Sequence, residues 1–193
     1  DLPDGPEQRA LRISWIAVGQ DLEAHASWRL DASLRAIPPN TLARRAGSRA
    51  LPAPERLRRD SPGFKSTSYF GAVAAQRSAK KADCDEALFR EGGLYLEGAS
   101  TGIVAWNGGA LAGLGPGALP SVTTEAFLDG RGERRGLRKE ELLAGALLIG
   151  SLTTAAPLVS LDGESCARPG EMLRACEAFR ERLLGDAALQ KRL

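Results

Sequence analysis

The sequence contains little of what several common reaction chemistries require. Its 193 residues include one histidine, His25, and three cysteines. A Ser-His-Asp triad or a multi-histidine metal site would have to centre on His25, which has no partner at a helpful spacing and which we interpret as an ordinary surface histidine. Cys84, Cys166 and Cys176 are odd in number and irregularly spaced. They therefore predict neither a disulfide framework nor a metal site, and their use fits small apolar side chains in a reducing cytoplasm.

Long hydrophobic runs and a strong net charge are also absent. The most apolar stretch, Leu142–Leu152, is shorter than the roughly 18 residues of a membrane helix and is broken by glycine. The first residues contain no apolar signal-peptide region. Lysine and arginine number 26 against 24 acidic residues, and we interpret the basic runs Arg56–Arg59 and Arg131–Arg138 chiefly as solvated surface, with anion binding as the alternative. We expect a cytoplasmic protein whose partners are neither nucleic acid nor membrane.

The residues that are present predict a mixture of hairpins and helices. The fractions of hydrophobic residues, 43%, and charged residues, 26%, are typical of globular proteins. Glu91-Gly92-Gly93 and Asn107-Gly108-Gly109 predict tight turns between strands, since glycine tolerates the positive φ of hairpin turns. Alanine-rich Tyr69–Ala82 predicts a helix, and Arg168–Gly185 has apolar residues at helical spacing. This mixture favours an α+β fold over a doubly wound parallel sheet.

The remaining pattern predicts further short elements. Strands are expected at Leu11–Val18, Trp28–Arg35, Glu86–Arg90, Leu94–Gly98, Thr101–Trp106, Leu147–Ser151 and Pro157–Leu161, and helices at Thr123–Leu128, capped by Ser121 or Thr123, and Arg138–Leu143. Pro38 to Pro62 is rich in proline and arginine and predicts an irregular connection with a short helix at Pro54–Arg59. We therefore expect residues 1–60 to form a small N-terminal subdomain with a linker, and residues 61–193 a larger domain.

Three segments contain residues that could carry chemistry. Lys65 lies before the helix Tyr69–Ala82 among small hydroxyl residues; it is either a surface lysine or the amine that condenses with a carbonyl group. Glu97 closes a strand, where its carboxylate could pair with a cation or a pyridinium nitrogen. Ser121-Val122-Thr123 precedes a helix whose N–H groups could bind an anion. Each of these signals alone is weak.

The order of the segments makes the pattern more specific. It comprises Phe64-Lys65-Ser66-Thr67-Ser68-Tyr69, Cys84-Asp85-Glu86-Ala87-Leu88-Phe89, Gly92–Thr101, Leu119–Thr123, Gly150-Ser151-Leu152 and Pro157–Gly163. This succession resembles the class IV aminotransferases, which are fold-type IV pyridoxal-phosphate (PLP) enzymes. The resemblance implies a truncated small α+β subdomain followed by a larger mixed-sheet domain that binds PLP. The truncation is expected because fewer residues precede Lys65 than is usual in that family.

The resemblance also implies a role for seven residues around PLP. Lys65 would be the catalytic residue, holding the cofactor as a Schiff base and moving protons, and Glu97 would pair with the pyridine nitrogen. The other five would bind the phosphate or line the far face of the cofactor: Val122, Thr123 and Ser151, and Ser100 and Thr101. Tyr69 is left out because its spacing from Lys65 is one residue short of the branched-chain pattern. Ser121 and Gly102 depart from the glycine and asparagine that are usual at those positions.

The motifs are most similar to those of 4-amino-4-deoxychorismate lyase-like members. That implies elimination of pyruvate from a small amine substrate, giving 4-aminobenzoate for folate biosynthesis. A branched-chain or D-amino acid aminotransferase is one alternative, and a non-catalytic homologue that binds a partner is another; an unrelated α+β binding module would make the motif order a coincidence. Family members are commonly homodimers. We therefore expect a homodimer or a complementing chain that covers apolar surface around Trp15 and Ile16.

Overall fold

The computed structural model describes residues 9–18, 27–59, 62–63, 65, 68–108 and 110–185. The chain divides into two compact units, Asp1–Leu42 and Ala43–Leu193. His25, and the side chains of Trp15 and Ile16, lie outside what is described. No helix in the described ranges is long and apolar enough to cross a membrane.

The first unit contains an antiparallel strand pair. β1 (Arg9–Val18) pairs with β2 (Ser27–Ala36), so both strands expected here are confirmed. The register places Leu11 opposite Leu34 and Ile13 opposite Ala32. Because side chains alternate between the faces of a strand, these apolar residues share one face of the pair. The short helix α1 (Pro39–Ala43) follows.

The second unit is built on a mixed sheet. Its order, in the described residues, is β5-β4-β3-β10-β9-β6-β7-β8, with β11 paired to β10. The strands are β3 (Ser48–Pro52), β4 (Glu86–Glu91), β5 (Leu94–Gly98), β6 (Gly102–Asn107), β7 (Ala110–Leu114), β8 (Glu133–Arg135), β9 (Ala146–Gly150), β10 (Thr154–Leu161) and β11 (Glu164–Ser165). β3 runs parallel to both β4 and β10, whereas β4 and β5 are antiparallel. The expected α+β class with a mixed sheet is confirmed.

Helices cover this sheet. They are α2 (Phe70–Lys81), α3 (Val122–Leu128), α4 (Lys139–Ala144) and α5 (Gly170–Gly185). Ala72, Ala75 and Ala79 of α2 pack with Ala87 and Phe89 of β4, since small side chains allow a helix to approach a strand closely. Met172, Cys176 and Phe179 of α5 pack in a separate apolar cluster. These helices are confirmed, with ends within three residues of those expected, and so is the turn at Glu91-Gly92-Gly93. β6 and β7 pair as a hairpin, as Asn107-Gly108-Gly109 predicts, although Gly109 lies outside the described residues.

The segment before Lys65 differs from the sequence expectation. We expected an irregular connection with a helix at Pro54–Arg59. Instead, β3 is an interior strand of the sheet between β4 and β10, and residues 54–59 contain only a turn, closed by the bond from Leu57 N to the Pro54 carbonyl. Ser48 and Ala50 are fully buried. Pairing with strands on both sides, which local propensity does not reveal, determines this strand. The two compact units divide between residues 42 and 43, and the division into a small subdomain and a larger domain at 60/61 stays a prediction.

Candidate functional site

A cavity of about 530 Å³ lies where several chain segments end. β5 ends beside it, β6 and α3 begin beside it, and the turn after β9 closes one side. The seven residues selected from the sequence all line it: Lys65, Glu97, Ser100, Thr101, Val122, Thr123 and Ser151. Residues 65 to 151 thus converge on one concave surface. Their chemical roles remain predictions.

Glu97 is a buried carboxylate at the end of β5, with 5% of its side chain exposed. Arg59 Nε donates to its Oε1 at 2.9 Å, and Arg59 Nη2 donates to Oε2 at 3.2 Å. Burial raises the pKa of Glu97, while hydrogen bonding and charge from Arg59, the backbone of Leu119 and the charge of Lys65 all act to lower it. The pKa of Glu97 stays above its usual value, so burial outweighs these partners, which offset only part of its cost.

Arg59 is a site residue that the sequence interpretation missed. We assigned the run Arg56–Arg59 chiefly to solvated surface, yet only 11% of the Arg59 side chain is exposed. Its guanidinium also lies 5.9 Å from the centre of the Phe89 ring and donates to the Ala99 carbonyl. Its neighbour Arg58 is exposed and pairs with Glu91. No periodicity in the sequence shows which of these two arginines is buried. The only available signal was that Glu97, if buried, would need a positively charged partner.

Lys65 is an exposed amine on the cavity. Its charge acts on Glu97, so both groups belong to one electrostatic environment. Ser66 and Thr67 lie outside the described residues. Tyr69, which we had left out, does line the cavity at the N-cap of α2.

The N-terminus of α3 forms another part of the cavity wall. Ser121 is the N-cap, and its Oγ accepts hydrogen bonds from Thr124 N at 3.2 Å and from Thr124 Oγ1 at 2.8 Å. This confirms Ser121, rather than Thr123, as the cap. The N–H groups of Val122 and Thr123 have no acceptor within the helix, because the first turn leaves them unpaired by geometry. They carry partial positive charge at the cavity.

Two arginines of one short 3₁₀ helix, Arg44–Ala46, hold other parts of the cavity lining in place without lining the cavity themselves. Arg44 Nη2 donates to Glu86 Oε2 at 2.9 Å, and Glu86 in turn accepts from Ser100 and Thr101. Arg45 donates to the carbonyl of Leu152, beside Ser151, from Nη2 at 2.7 Å and from Nε at 3.2 Å. The sequence singled out neither arginine.

The assembled cavity combines a primary amine, a paired buried carboxylate, hydroxyl groups and the start of a helix. Comparison with known proteins relates this arrangement to a family. A family sequence model described as amino-transferase class IV matches residues 5–161, which is most of the chain. No curated protein sequence matches.

Solved structures of similar fold agree with that match. A branched-chain aminotransferase from the archaeon Thermoproteus uzoniensis, solved with norvaline, has a TM-score of 0.80 at 20% identity, over 92% of this chain and 65% of its own. A PLP-bound hypothetical aminotransferase from Mycobacterium tuberculosis scores 0.77 at 23% identity, over 92% and 69%. A fold IV transaminase from Curtobacterium pusillum scores 0.71 at 21% identity, over 94% and 64%. The chain thus spans less than two thirds of the first and third, and likeness at these identities concerns the fold.

Proposed function

The chain belongs to the class IV aminotransferase family, and we propose that it is a PLP-dependent enzyme acting on a small amine or amino acid. The observation that carries this proposal is the composition of a single cavity, which contains Lys65, the Glu97–Arg59 pair and the start of α3. PLP needs an amine for its aldehyde, an acceptor for its ring N–H and donors for its phosphate. The groups around the cavity supply all three.

Lys65 would attach the cofactor through Nζ. An exposed lysine on a cavity that also contains a carboxylate can both form the bond and, once free, move a proton at Nζ. PLP, when bound, supplies a ring that accepts electron density from the reacting carbon. Thus Lys65 is the group whose removal should abolish attachment.

Glu97 would orient the cofactor and hold its ring nitrogen protonated. That task requires an ionised carboxylate, which burial disfavours and Arg59 favours. Arg59 therefore supports the proposed role of Glu97 by offsetting the cost of the buried charge.

The cofactor phosphate would bind at the start of α3. The N–H groups of Val122 and Thr123 are oriented by the Ser121 cap, and the Ser151 hydroxyl lies on the same cavity. Backbone donors and the helix dipole favour an anion at this position.

Two reactions remain candidates, each favoured by a specific observation. Similarity to a branched-chain aminotransferase and to a fold IV transaminase favours amino-group transfer to a keto acid. The motifs Lys65-Ser66-Thr67-Ser68-Tyr69 and Glu97-Gly98-Ala99-Ser100-Thr101 favour the lyase that releases pyruvate. Lys65 would serve both, so the product decides between them.

The test is an absorbance spectrum of the full chain with added PLP, before and after borohydride, for the parent and for Lys65→Ala. We expect a band in the parent that borohydride fixes to the protein, and none in Lys65→Ala. Lys139→Ala is the matched control, because that lysine pairs with Glu164 and does not line the cavity. Pyruvate release and keto-acid formation are then assayed in parallel. A parent without a reducible band would contradict the proposal.

A further inference from the structure

Glu86 is a buried carboxylate that the proposed roles do not use. It begins β4, and 0% of its side chain is exposed. Its Oε1 accepts from the N–H groups of Ala87 and Ser100, both at 3.2 Å. Its Oε2 accepts from Arg44 Nη2 at 2.9 Å, Ser100 Oγ at 2.5 Å and Thr101 Oγ1 at 3.2 Å. Five donors therefore converge on one carboxylate.

This carboxylate lies directly behind the cavity wall. Ser100 and Thr101 line the cavity, whereas Glu86 does not. A Cβ added at Gly98 would lie 2.4 Å from Thr101 Oγ1 and 3.1 Å from Glu86 Cδ, so the end of β5 packs tightly against the pair. A buried ion pair is weak ground for stability alone, since apolar residues of similar volume often stabilise as well. The contacts of Glu86 indicate instead that it orients Ser100 and Thr101 in the cavity wall.

The bonding pattern fixes the polarity of that wall. A hydroxyl group has one hydrogen to donate and two lone pairs that accept. Ser100 and Thr101 both donate to Glu86 Oε2, so each hydroxyl can only accept on its other side. The cavity wall at these residues therefore disfavours a phosphate or carboxylate and suits a hydrogen-bond donor.

We propose that Glu86, with Arg44 as its counter-charge, is a positioning residue that makes Ser100 and Thr101 acceptors toward the cavity. Their partner is a hydroxyl or N–H group of the bound cofactor. The cavity would thereby have two regions of opposite polarity, with the proposed phosphate donors at the start of α3 and hydrogen-bond acceptors at Ser100 and Thr101. The identity of the occupant rests on the proposed function.

Glu86→Gln tests this polarity with little change of volume. If Oε2 becomes the amide nitrogen, Arg44 faces another donor, and the hydroxyls of Ser100 and Thr101 can accept from the amide and turn their own hydrogens toward the cavity. If Oε1 becomes the nitrogen, the backbone N–H groups of Ala87 and Ser100 face another donor. We expect the Kd for PLP to rise about tenfold, the equivalent of one charge-assisted hydrogen bond, while the Kd for inorganic phosphate, followed by phosphorus NMR, stays within about twofold. Glu141→Gln, which alters a carboxylate paired with Arg135 outside the cavity, should leave both constants unchanged.

A double-mutant cycle with Ser100→Ala separates positioning from general damage. If Glu86 acts through the Ser100 hydroxyl, the two changes are less than additive in their effect on the Kd for PLP. Additive effects, an unchanged Kd in Glu86→Gln, or equal losses of PLP and phosphate affinity would each overturn the proposal.

Failure of the proposed function gives a different result. If the parent binds no PLP, amide exchange in the ligand-free protein decides the role of Glu86. Faster exchange at the Ser100 N–H in Glu86→Ala, which removes both acceptor oxygens, with unchanged exchange at Leu148 in β9, supports the positioning of this wall. Unchanged exchange at Ser100 overturns it.

Discussion

At the scale of single residues, the cavity depends on how buried charges are paired. Glu97 and Glu86 are both buried, and each is paired with an arginine, Arg59 and Arg44. Taking a carboxylate out of water is costly unless hydrogen bonds and an opposite charge replace the water. Removing either arginine should therefore cost more stability than removing an arginine from an exposed ion pair.

Arg59→Met should test that dependence for Glu97. We expect a loss of about 3 kcal/mol in the free energy of unfolding at pH 7, because a buried carboxylate loses its counter-charge. Removing Arg59 also raises the pKa of Glu97 further above its usual value, since Arg59 contributes the largest of the effects that lower it. A carboxyl with a raised folded-state pKa contributes stability that is present at acid pH and lost as pH rises through that pKa. The loss should therefore grow from pH 4 to pH 8 in urea titrations.

Arg58→Met provides the matched control. Arg58 pairs with Glu91 while 67% of its side chain is exposed, and exposed pairs contribute about 1 kcal/mol or less. Its effect should be small and nearly independent of pH. Equal losses of unfolding free energy in Arg59→Met and Arg58→Met would contradict the prediction, because the buried pair would then contribute no more stability than the exposed one.

At the scale of elements, the cavity depends on where strands and helices end. β5 ends at Gly98 and α3 begins at Val122, and both termini lie at the cavity. Residues at element ends have backbone groups that the element itself does not pair. A cap that fixes such an end therefore influences both stability and binding.

Ser121→Ala should show both effects at α3. Loss of the cap should cost about 1 kcal/mol in the free energy of unfolding, and the Kd for PLP should rise because the N–H groups of Val122 and Thr123 lose their fixed orientation. Ser121→Asn is the control, since asparagine also caps helices well. Urea unfolding and absorbance titration measure the two quantities. A Ser121→Ala protein that is less stable but binds PLP as the parent does would contradict the second effect, because the cap would then not contribute to phosphate binding.

At the scale of the whole molecule, the two units have different surfaces. The cavity is lined entirely by residues of the second unit. The β1–β2 pair of the first unit exposes Leu11, Ile13, Leu30 and Leu34, with 60% exposure at Ile13 and Leu30. Contiguous exposed apolar residues on one face are typical of a surface that another chain covers.

We predict that this face supports self-association, in keeping with the homodimer that the resemblance to class IV aminotransferases implies. Sedimentation velocity at micromolar concentration should give a species larger than the monomer for the parent. Ile13→Lys together with Leu30→Lys should shift it to the monomer, because lysine on an apolar interface carries an unpaired charge. Arg12→Lys, a change on the opposite face of β1, is the control. A monomeric parent would contradict self-association, and the partner expected for this face would then be a separate chain.

The sequence by itself determined the elements whose patterns are local. The glycine turns between β4 and β5 and between β6 and β7, the alanine-rich helix α2 and the apolar spacing of α5 follow from propensity and periodicity in short windows. The order of motifs around Lys65 and Glu97 led to the family, and the seven selected residues do line one cavity. Such features depend on neighbours a few residues apart.

Only the tertiary structure decided the roles that depend on contacts between residues far apart in the sequence. β3 is a strand because β4 and β10 pair with it on either side, and its own sequence reads as a connection. Arg59 is a site residue and Arg58 a surface residue because one reaches Glu97, 38 positions away, and the other reaches Glu91. Burial and pairing across the fold, rather than residue type, assign these roles, and they are set only when distant segments meet.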